Sequence, residues 1–354
     1  MKETKEFQLK FYQIALMYIG ALMGAGFASG KEMWQFFGVF GLEGLKGICV
    51  ASAFLFVFGY LSVANAKMTD SADFGKLVCP VDHPKVTVVI GIIMSIFLWM
   101  AYLSMVSAGG ALLEEQIGLH HAIGSVIYML LAVLTAIKGF AQVSRRIQKV
   151  TPILVCGTLL ICVFLLVRDG SAIGGEFEAQ KSPLAQNWFS SAVAFVTYNL
   201  TAAVPILGNC QRHAEWKQAR WGALTGAAAL TTCITLLFLT TQTNPEIAKT
   251  VSLPMLGFAG TVIPQLRIVY ACVLLIAIFG AATTCFYGIT TVLPQKNRLL
   301  WVWVIALAGY GLSLFGFNNL VAVLYPIGGY FSMIFFAMMV VNFFRLKAKE
   351  RAAA

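Results

Sequence analysis

The chain has 354 residues, of which 59% are hydrophobic and 11% charged, and its mean hydropathy is +0.81. These values exclude a soluble globular domain, in which about a quarter of the residues are charged. The formal net charge is +10, but the basic residues stand singly or in pairs at the ends of apolar runs. Such a distribution favours contact with the cytoplasmic lipid surface. We therefore expect an integral membrane protein that lies in a lipid bilayer and binds no nucleic acid.

Ten apolar runs are long enough to cross the bilayer as helices, which takes about 20 residues each. The predicted spans are residues 11–38, 44–66, 86–113, 122–140, 147–167, 187–210, 219–242, 266–293, 299–317 and 319–344. No stretch remains that is long enough for a soluble domain. We therefore predict a single transmembrane domain over residues 1–354.

The distribution of Lys and Arg predicts the orientation of these spans. If both termini are cytoplasmic, 19 of the 25 Lys and Arg residues fall on that side, in agreement with the positive-inside rule. This predicts a multi-pass protein of the inner (plasma) membrane. The N-terminus is basic and then apolar, but its apolar run is too long for a signal peptide, so we interpret it as a retained span. The short stretch from Ser252 to Pro264 is predicted to form a helical lid on the outer surface.

Sequence patterns typical of catalysis are missing. The eight cysteines form no CxxC, the histidines form no HExxH, and neither GxSxG nor a Walker-type glycine loop is present. An ATP-driven pump or an intramembrane hydrolase would need such machinery. We therefore predict that the protein is not an enzyme and holds no cofactor.

The first span contains the glycine-rich stretch "YIGALMGAGFASGKEMWQFFGVFG", Tyr18 to Gly41. Each glycine lowers helix stability by about 1 kcal/mol relative to alanine, and Gly24–Gly26 lies near mid-span. We predict a broken helix whose first half ends near Met23 and whose second half begins near Phe27. Unwound backbone at that depth must face protein or a water-filled cavity, with carbonyls suited to a cation and N–H groups suited to a carboxylate. The alternative is that the GxxxG spacings only allow close helix packing.

The sixth span reads "FSSAVAFVTYNLTAAVPILGN", with Thr197, Tyr198, Asn199 and Thr201 clustered before Pro205. Because proline removes a backbone donor, this pattern predicts a second opening around Asn199 to Thr201. An ordinary proline kink with locally bonded polar groups is the alternative. The two breaks would then occupy corresponding positions in two halves of the chain, residues 1–170 and 185–345. Such a pair of breaks is typical of an inverted repeat.

Further polar groups are expected to complete a cavity at mid-depth. The third span supplies Tyr102, and the eighth supplies adjacent hydroxyls at Thr283 and Thr284, although a single hydroxyl can also bond to a carbonyl one turn back. Two hydroxyls together with main-chain carbonyls would make a hard-oxygen site for a small monovalent cation. One interpretation of Lys31 and Glu32 is a charged turn that reaches the outer vestibule. Without a buried acid in the expected cavity, neutral substrates are favoured.

Four motifs together resemble a known family over essentially the whole chain. They are "GALMGAGFASGKE" in the first span, "GFAQVSRRIQKVTPIL" before the fifth, the interrupted sixth span and "GAATT" in the eighth. The sequence resembles the amino acid–polyamine–organocation superfamily with the LeuT-type fold, and in detail its YkvI-type branch. The resemblance implies an all-α membrane protein of ten transmembrane helices in a 5+5 inverted repeat, with helices 1 and 6 interrupted. It also implies alternating access, with the substrate between spans one and six.

The resemblance also implies two sets of site residues. A sodium ion would be held by the carbonyls of Gly20, Met23 and Gly280 and the hydroxyls of Thr283 and Thr284. The substrate would contact Gly24, Ala25, Gly26, Phe27, Ser29, Tyr102, Phe195, Tyr198, Asn199 and Thr201. In this arrangement the N–H groups of residues 25–27 bind the carboxylate of the substrate. The polar side chains of the sixth span contact the amine or the side chain of the substrate.

The expected function is sodium-coupled symport of a small neutral amino acid or similar zwitterion. Some relatives are coupled to protons through a lysine in the fifth span, whereas the corresponding region around Val155 is apolar, which favours sodium. A proton-coupled amino acid transporter and a non-transporting membrane sensor or channel on the same fold are the alternatives. Some relatives have an outer gate that pairs a basic residue of the first span with an acid of the tenth. The resemblance suggests Lys31 for the gate position, but the tenth span has no carboxylate, so its partner is unknown.

Overall fold

The computed structural model describes residues 8–81, 83–174, 186–251, 253–262, 264–294 and 296–353. The predicted start of the second repeat at residue 185, and the basic residues Lys2, Lys5 and Lys181, lie outside the described residues. The α-helices within these ranges are α1 Phe11–Leu22, α2 Ala25–Ala28, α3 Lys31–Phe36, α4 Gly44–Thr69, α5 Phe74–Val78, α6 Pro84–Ile117, α7 His121–Ala136, α8 Phe140–Asp169, α9 Trp188–Arg212, α10 Trp216–Thr243, α11 Pro245–Thr250, α12 Pro254–Val262, α13 Pro264–Thr290, α14 Arg298–Ser313 and α15 Phe317–Ala353.

Seven helical segments of the described chain are long and apolar enough to cross a membrane: Gly38–Thr69, Pro84–Ile117, Phe140–Ala172, Trp188–Arg212, Trp216–Thr243, Gln265–Thr290 and Val323–Ala352. Shorter apolar helices are α1, α7 and α14. Large apolar side chains cover the outer faces of the bundle, such as Leu160 and Val167 of α8, which are 71% and 84% exposed. In water such faces would be unfavourable, but they suit lipid. The chain is therefore a multi-pass membrane protein, and the count of ten spans stays a prediction.

The predicted break in the first span is confirmed. Helix α1 ends at Leu22, and Gly24 is extended with φ −86° and ψ −167°. The Gly24 N–H donates to the Leu22 carbonyl at 2.7 Å, whereas a continued helix would direct it to Gly20. The chain becomes helical again at residue 25, two residues earlier than predicted. It bends once more at Gly30, whose φ of +78° lies in the left-handed region that glycine adopts without strain.

The predicted interruption of the sixth span is wrong. Helix α9 runs without a break from Trp188 to Arg212, with Pro205 inside it. Hydroxyl and amide side chains bond to carbonyls of the same helix: Thr201 Oγ1 donates to Thr197 O at 2.9 Å and Asn209 Nδ2 to Pro205 O at 2.9 Å. These side chains bond within their own helix, as the alternative interpretation held, and the helix continues through the proline.

Helix α9 lies at the centre of the bundle and packs against α1, α4 and α15. The contact with α15 is close because Gly329 has no side chain: a Cβ there would lie 2.3 Å from the Ala194 carbonyl. Thr197 Oγ1 donates to the Gly329 carbonyl at 2.6 Å, and Thr201 Oγ1 to Ser332 Oγ at 3.0 Å. The polar side chains of α9 therefore bind α15 as well as facing α1.

Helices α11 and α12, which we call the lid, lie against the bend at Gly30 in the first span. The Met255 N–H of α12 donates to the Ser29 carbonyl at 2.8 Å. Thr261, at the other end of α12, accepts two hydrogen bonds from the Arg168 guanidinium at the end of α8. Helix α12 has 9 residues, too few to cross a bilayer, in agreement with the predicted lid.

Candidate functional site

A small internal cavity adjoins the break in the first span. Its walls are Ala21, Leu22, Gly24 and Glu32 of that span, Phe97, Leu98, Ala101 and Met105 of α6, Tyr198, Asn199, Thr201 and Ala202 of α9, Ala281 and Cys285 of α13, and Tyr325 of α15. The cavity volume is about 20 Å³, enough for roughly one water molecule. A solute larger than water can enter only after the helices around the cavity separate.

Glu32 lies in the wall of this cavity, and the expectation of a charged turn in the outer vestibule is wrong for this residue. Its side chain is 2% exposed, and its Oε2 accepts a hydrogen bond from Asn199 Nδ2 at 3.2 Å. The bend at Gly30 turns the start of α3 so that residue 32 faces back towards α9. The argument for neutral substrates, which assumed that the cavity has no buried acid, therefore fails.

The Glu32 carboxyl occupies the space beside Gly26. A Cβ at position 26 would lie 2.2 Å from Glu32 Oε1 and 2.8 Å from Glu32 Cγ. The second glycine of the "GAG" motif is therefore needed for packing, because any larger residue would displace the acid.

Lys31 points away from Glu32 and binds the lid. Its Nζ donates to the carbonyls of Lys249 and Val251 at 3.2 and 3.1 Å, where α11 ends. Terminal carbonyls of a helix lack intrahelical donors, and a cation is favourable there. In this structure the hydrogen-bond partners of Lys31 Nζ are therefore two backbone carbonyls and not an acidic side chain.

Four of the predicted substrate residues line the cavity. They are Gly24 at the break and Tyr198, Asn199 and Thr201 on α9. Asn199 Nδ2 also donates to the Phe195 carbonyl at 3.0 Å. This second bond fixes which end of the amide faces Glu32, since only the NH₂ end can donate to both acceptors.

The other predicted residues of the first span surround the break without lining the cavity. The Ala25 N–H donates to Met105 Sδ at 3.3 Å, a weak acceptor. Ser29 Oγ donates to the Gly26 carbonyl at 3.3 Å. Both groups are therefore occupied within the protein in this conformation.

Phe195 and Phe27 belong to an aromatic cluster on the lid side of the break. The Phe195 ring lies 6.2 Å from Phe27, 5.7 Å from Phe36 and 4.9 Å from Phe37, measured between ring centroids. Such contacts stabilise the closed packing of α2 and α3 on α9.

Tyr102 does not meet the backbone of the break. Its ring packs on Phe286 with centroids 4.8 Å apart, and its buried hydroxyl has no hydrogen-bond partner among the described residues. Sequence reasoning missed Tyr325, whose ring stacks on Tyr198 with centroids 4.1 Å apart in the cavity wall. It also missed Glu32, although an acid within an apolar span is by itself a functional-site signal.

The five predicted sodium ligands lie where α1 approaches α13. The Gly20 carbonyl lies 3.9 Å from the position that a Gly280 Cβ would take, so the two backbones are close. The buried Thr283 hydroxyl has no partner among the described residues, whereas Thr284 Oγ1 donates to the Gly280 carbonyl at 2.9 Å. Met23 ends α1 with a non-helical ψ of 72°. Of the predicted ligands, the Gly20 and Met23 carbonyls lie at the end of α1, whereas the Gly280 carbonyl lies inside α13 and accepts from Thr284.

A second unpartnered hydroxyl faces the same region from α8. Thr151 Oγ1 is buried without a partner among the described residues, and it would lie 2.5 Å from a Cβ at Gly20. Sequence reasoning placed only apolar residues of the fifth span near the cation site and did not single out this threonine.

No protein-family model matches the chain. It is similar to two proteins of Bacillus subtilis (strain 168). The uncharacterized membrane protein YkvI is 25% identical over 328 residues, which cover 91% of this chain and 93% of YkvI. The uncharacterized protein YyaD is 24% identical over 323 residues, which cover 89% of this chain and 91% of YyaD. The likeness to YkvI agrees with the resemblance found in the motifs.

Solved transporter structures share the fold. MhsT in complex with L-phenylalanine has a TM-score of 0.63 at 15% identity, covering 94% of this chain and 90% of MhsT. A manganese transporter variant of Eremococcus coleocola has a TM-score of 0.60 at 12% identity, covering 97% of this chain and 80% of the manganese transporter. Mhp1, a nucleobase-cation-symport-1 family transporter with bromovinylhydantoin bound, has a TM-score of 0.51 at 15% identity, covering 87% of this chain and 72% of Mhp1. The chain has the LeuT-type fold of these proteins.

Proposed function

We propose that the protein is a secondary transporter that moves a small amine-containing solute, such as an amino acid, by alternating access. The observation that carries this proposal is the broken first helix beside an enclosed cavity that contains a buried carboxyl and amide pair, Glu32 and Asn199. Secondary transporters bind solutes at discontinuous helices near the bilayer midplane. The shared fold with solute transporters supports the proposal.

Sodium is the proposed coupling ion, at the carbonyls of Gly20, Met23 and Gly280 and the hydroxyls of Thr283 and Thr284. The unpartnered Thr283 hydroxyl supports this assignment, because a buried hydroxyl without a hydrogen bond is unfavourable unless a ligand satisfies it. Within the proposal, sodium binding would hold α1 against α13 and so organise the cavity for the solute. The solute carboxylate, where present, would meet the N–H groups that follow Gly24.

Thermal unfolding of the detergent-purified protein tests the proposal. Each solute of a panel of amino acids, amines and organic acids is added in sodium and in choline buffer. A solute at about 100 times its dissociation constant should stabilise the native state by roughly 2.7 kcal/mol. We expect stabilisation by amine-containing solutes that requires sodium. Uptake of the same solute into proteoliposomes would separate transport from binding by a sensor.

Replacing both Thr283 and Thr284 by alanine tests the cation site. We expect the variant to lose sodium-dependent solute binding, so that the solute stabilises it little in either buffer, while its unfolding temperature without ligand changes little. Thr232→Ala is the matched control, because this threonine is exposed on α10 and bonds only to the Ala228 carbonyl. An unchanged sodium requirement in the double variant would contradict the assignment.

A further inference from the structure

The Glu32 carboxyl has no cationic partner in the cavity. None of the described residues that line the cavity is Lys, Arg or His. The neighbouring ammonium, Lys31 Nζ, is bound to the carbonyls of Lys249 and Val251 in the lid. An ionised carboxylate buried without a partner is strongly unfavourable, so such a group either carries a proton or pairs with a cation from outside.

The polar groups packed around Glu32 do not supply a countercharge. Helix α9 presents the Asn199 amide and the Tyr198 ring, α15 presents Tyr325, and α13 presents Cys285. The charged residues of the lid helix α11, Glu246 and Lys249, are exposed at the surface. Helix α10, which packs against α3, ends in the uncharged residues 241–243.

The Asn199 amide is compatible with both protonation states of the acid. Its NH₂ group donates to Glu32 Oε2, whereas Glu32 Oε1 lies on the Gly26 side and accepts no hydrogen bond from this amide. A carboxyl group accepts through one oxygen whether or not the other carries a proton. The site can therefore hold a neutral acid when it is empty and a carboxylate when a cation is present.

The cavity beside Glu32 has the size of one small polar group. Its volume of about 20 Å³ is close to that needed for one water, and an ammonium group is similar in size. Apolar side chains, from Ala101, Ala202 and Ala281 to Phe97 and Met105, form the remaining wall. The rest of a solute would occupy space that appears only when these walls separate.

We propose that Glu32 exchanges a proton for the ammonium group of the transported solute; this inference rests on the proposed transport function. In the closed, empty protein the Glu32 carboxyl is protonated. When the solute enters, the O–H bond breaks, the proton leaves to water on the open side, and the carboxylate pairs with the R–NH₃⁺ group. When the solute departs, the carboxylate takes up a proton again before the cavity closes. Each solute molecule is thereby exchanged for one proton.

Calorimetric titration of the full-length purified protein tests this exchange. The probes are alanine against lactate and butylamine against butanol, so that each pair differs in the ammonium group. Titrations in two buffers with different protonation enthalpies give the number of protons released per bound solute. For the wild type we expect amine binding with release of close to one proton, and at least tenfold weaker binding of the alcohol or hydroxy acid.

Glu32→Gln is the decisive variant because the amide keeps the shape of the side chain and an oxygen that accepts from Asn199. We expect amine affinity to fall at least tenfold and proton release to disappear. Infrared difference spectra of the empty proteins should show the band of a protonated carboxyl in the wild type and not in this variant. Glu246→Gln, on the exposed surface of α11, is the matched control and should behave as the wild type.

Several outcomes would overturn the inference. Unchanged amine binding and proton release in Glu32→Gln would do so, as would an ionised Glu32 in the empty protein. A different result would be that the wild type binds the amine without releasing a proton and that its requirement for sodium disappears in Glu32→Gln. That pair of results would mean that the Glu32 carboxylate binds sodium and does not exchange a proton. Failure of the wild type to bind any probe would contradict the transport function itself, and this inference with it.

Discussion

At the scale of single residues, Gly26 and Glu32 compete for one small volume beside the break. An alanine Cβ at position 26 would lie 2.2 Å from Glu32 Oε1, closer than non-bonded atoms approach. We expect Gly26→Ala to push the carboxyl away from Asn199 and to weaken amine binding at least tenfold, about 1.4 kcal/mol. Calorimetric titration with the probe amines measures the loss.

Gly311→Ala provides the matched control for that substitution. Gly311 lies in α14, and a Cβ there would meet no atom within 4 Å. Alanine in a helix is more favourable than glycine by up to about 1 kcal/mol, so this variant should be as stable as the wild type or more so. If Gly26→Ala binds amines as well as Gly311→Ala does, the carboxyl is not held where the structure places it.

At the scale of elements, Lys31 connects α3 to the lid. The variant Lys31→Met keeps the length of the side chain but removes both hydrogen bonds to the end of α11. We expect faster hydrogen exchange in the backbone amides of α11, because one of its attachments is lost while the Met255 N–H contact to Ser29 remains. Exchange followed by mass spectrometry measures this effect.

The matched control is Lys46→Met, which removes an exposed ion pair with Glu43 at 2.8 Å. Exposed pairs contribute little to stability, so exchange in α11 should not change in this variant. Equal exchange in both variants would mean that Lys31 does not hold the lid.

The two predicted helix breaks show how far local sequence determines an element. In the first span, adjacent glycines weaken the helix and the break forms at Gly24 as predicted. In the sixth span, Pro205 does not break the helix. Neighbouring side chains bond to carbonyls of their own helix, and α15 packs closely against α9. Sequence reasoning saw the proline but could not see that packing.

At the scale of the whole molecule, composition predicted the membrane class and the approximate helices, whereas the site depended on tertiary packing. Asn199 and Glu32 are 167 positions apart, and nothing in the sequence pairs them. Lys31 and Glu32 are adjacent and were interpreted together, but the bend at Gly30 sends their side chains to different partners. Predictions that need only local periodicity were therefore more successful than those that need contacts.

The orientation of the molecule gives a further prediction. With both termini in the cytoplasm, protease-sensitive tags at either end should be protected in intact cells and cleaved after permeabilisation. A tag at Gly118, in the turn between α6 and α7, should be cleaved in intact cells, because this turn falls on the outer side in the predicted topology. The reverse pattern would mean that the basic residues do not set the orientation.

Lys31 and Glu32 are consecutive residues of one short helix, yet the first is attached to the lid and the second to the central helix α9. Because α3 has only 6 residues, a movement of the whole helix would affect both attachments. Under the proposed transport function, opening of the lid and exposure of the Glu32 carboxyl to water would then occur together. External water would reach the carboxyl in the same conformation that admits the solute.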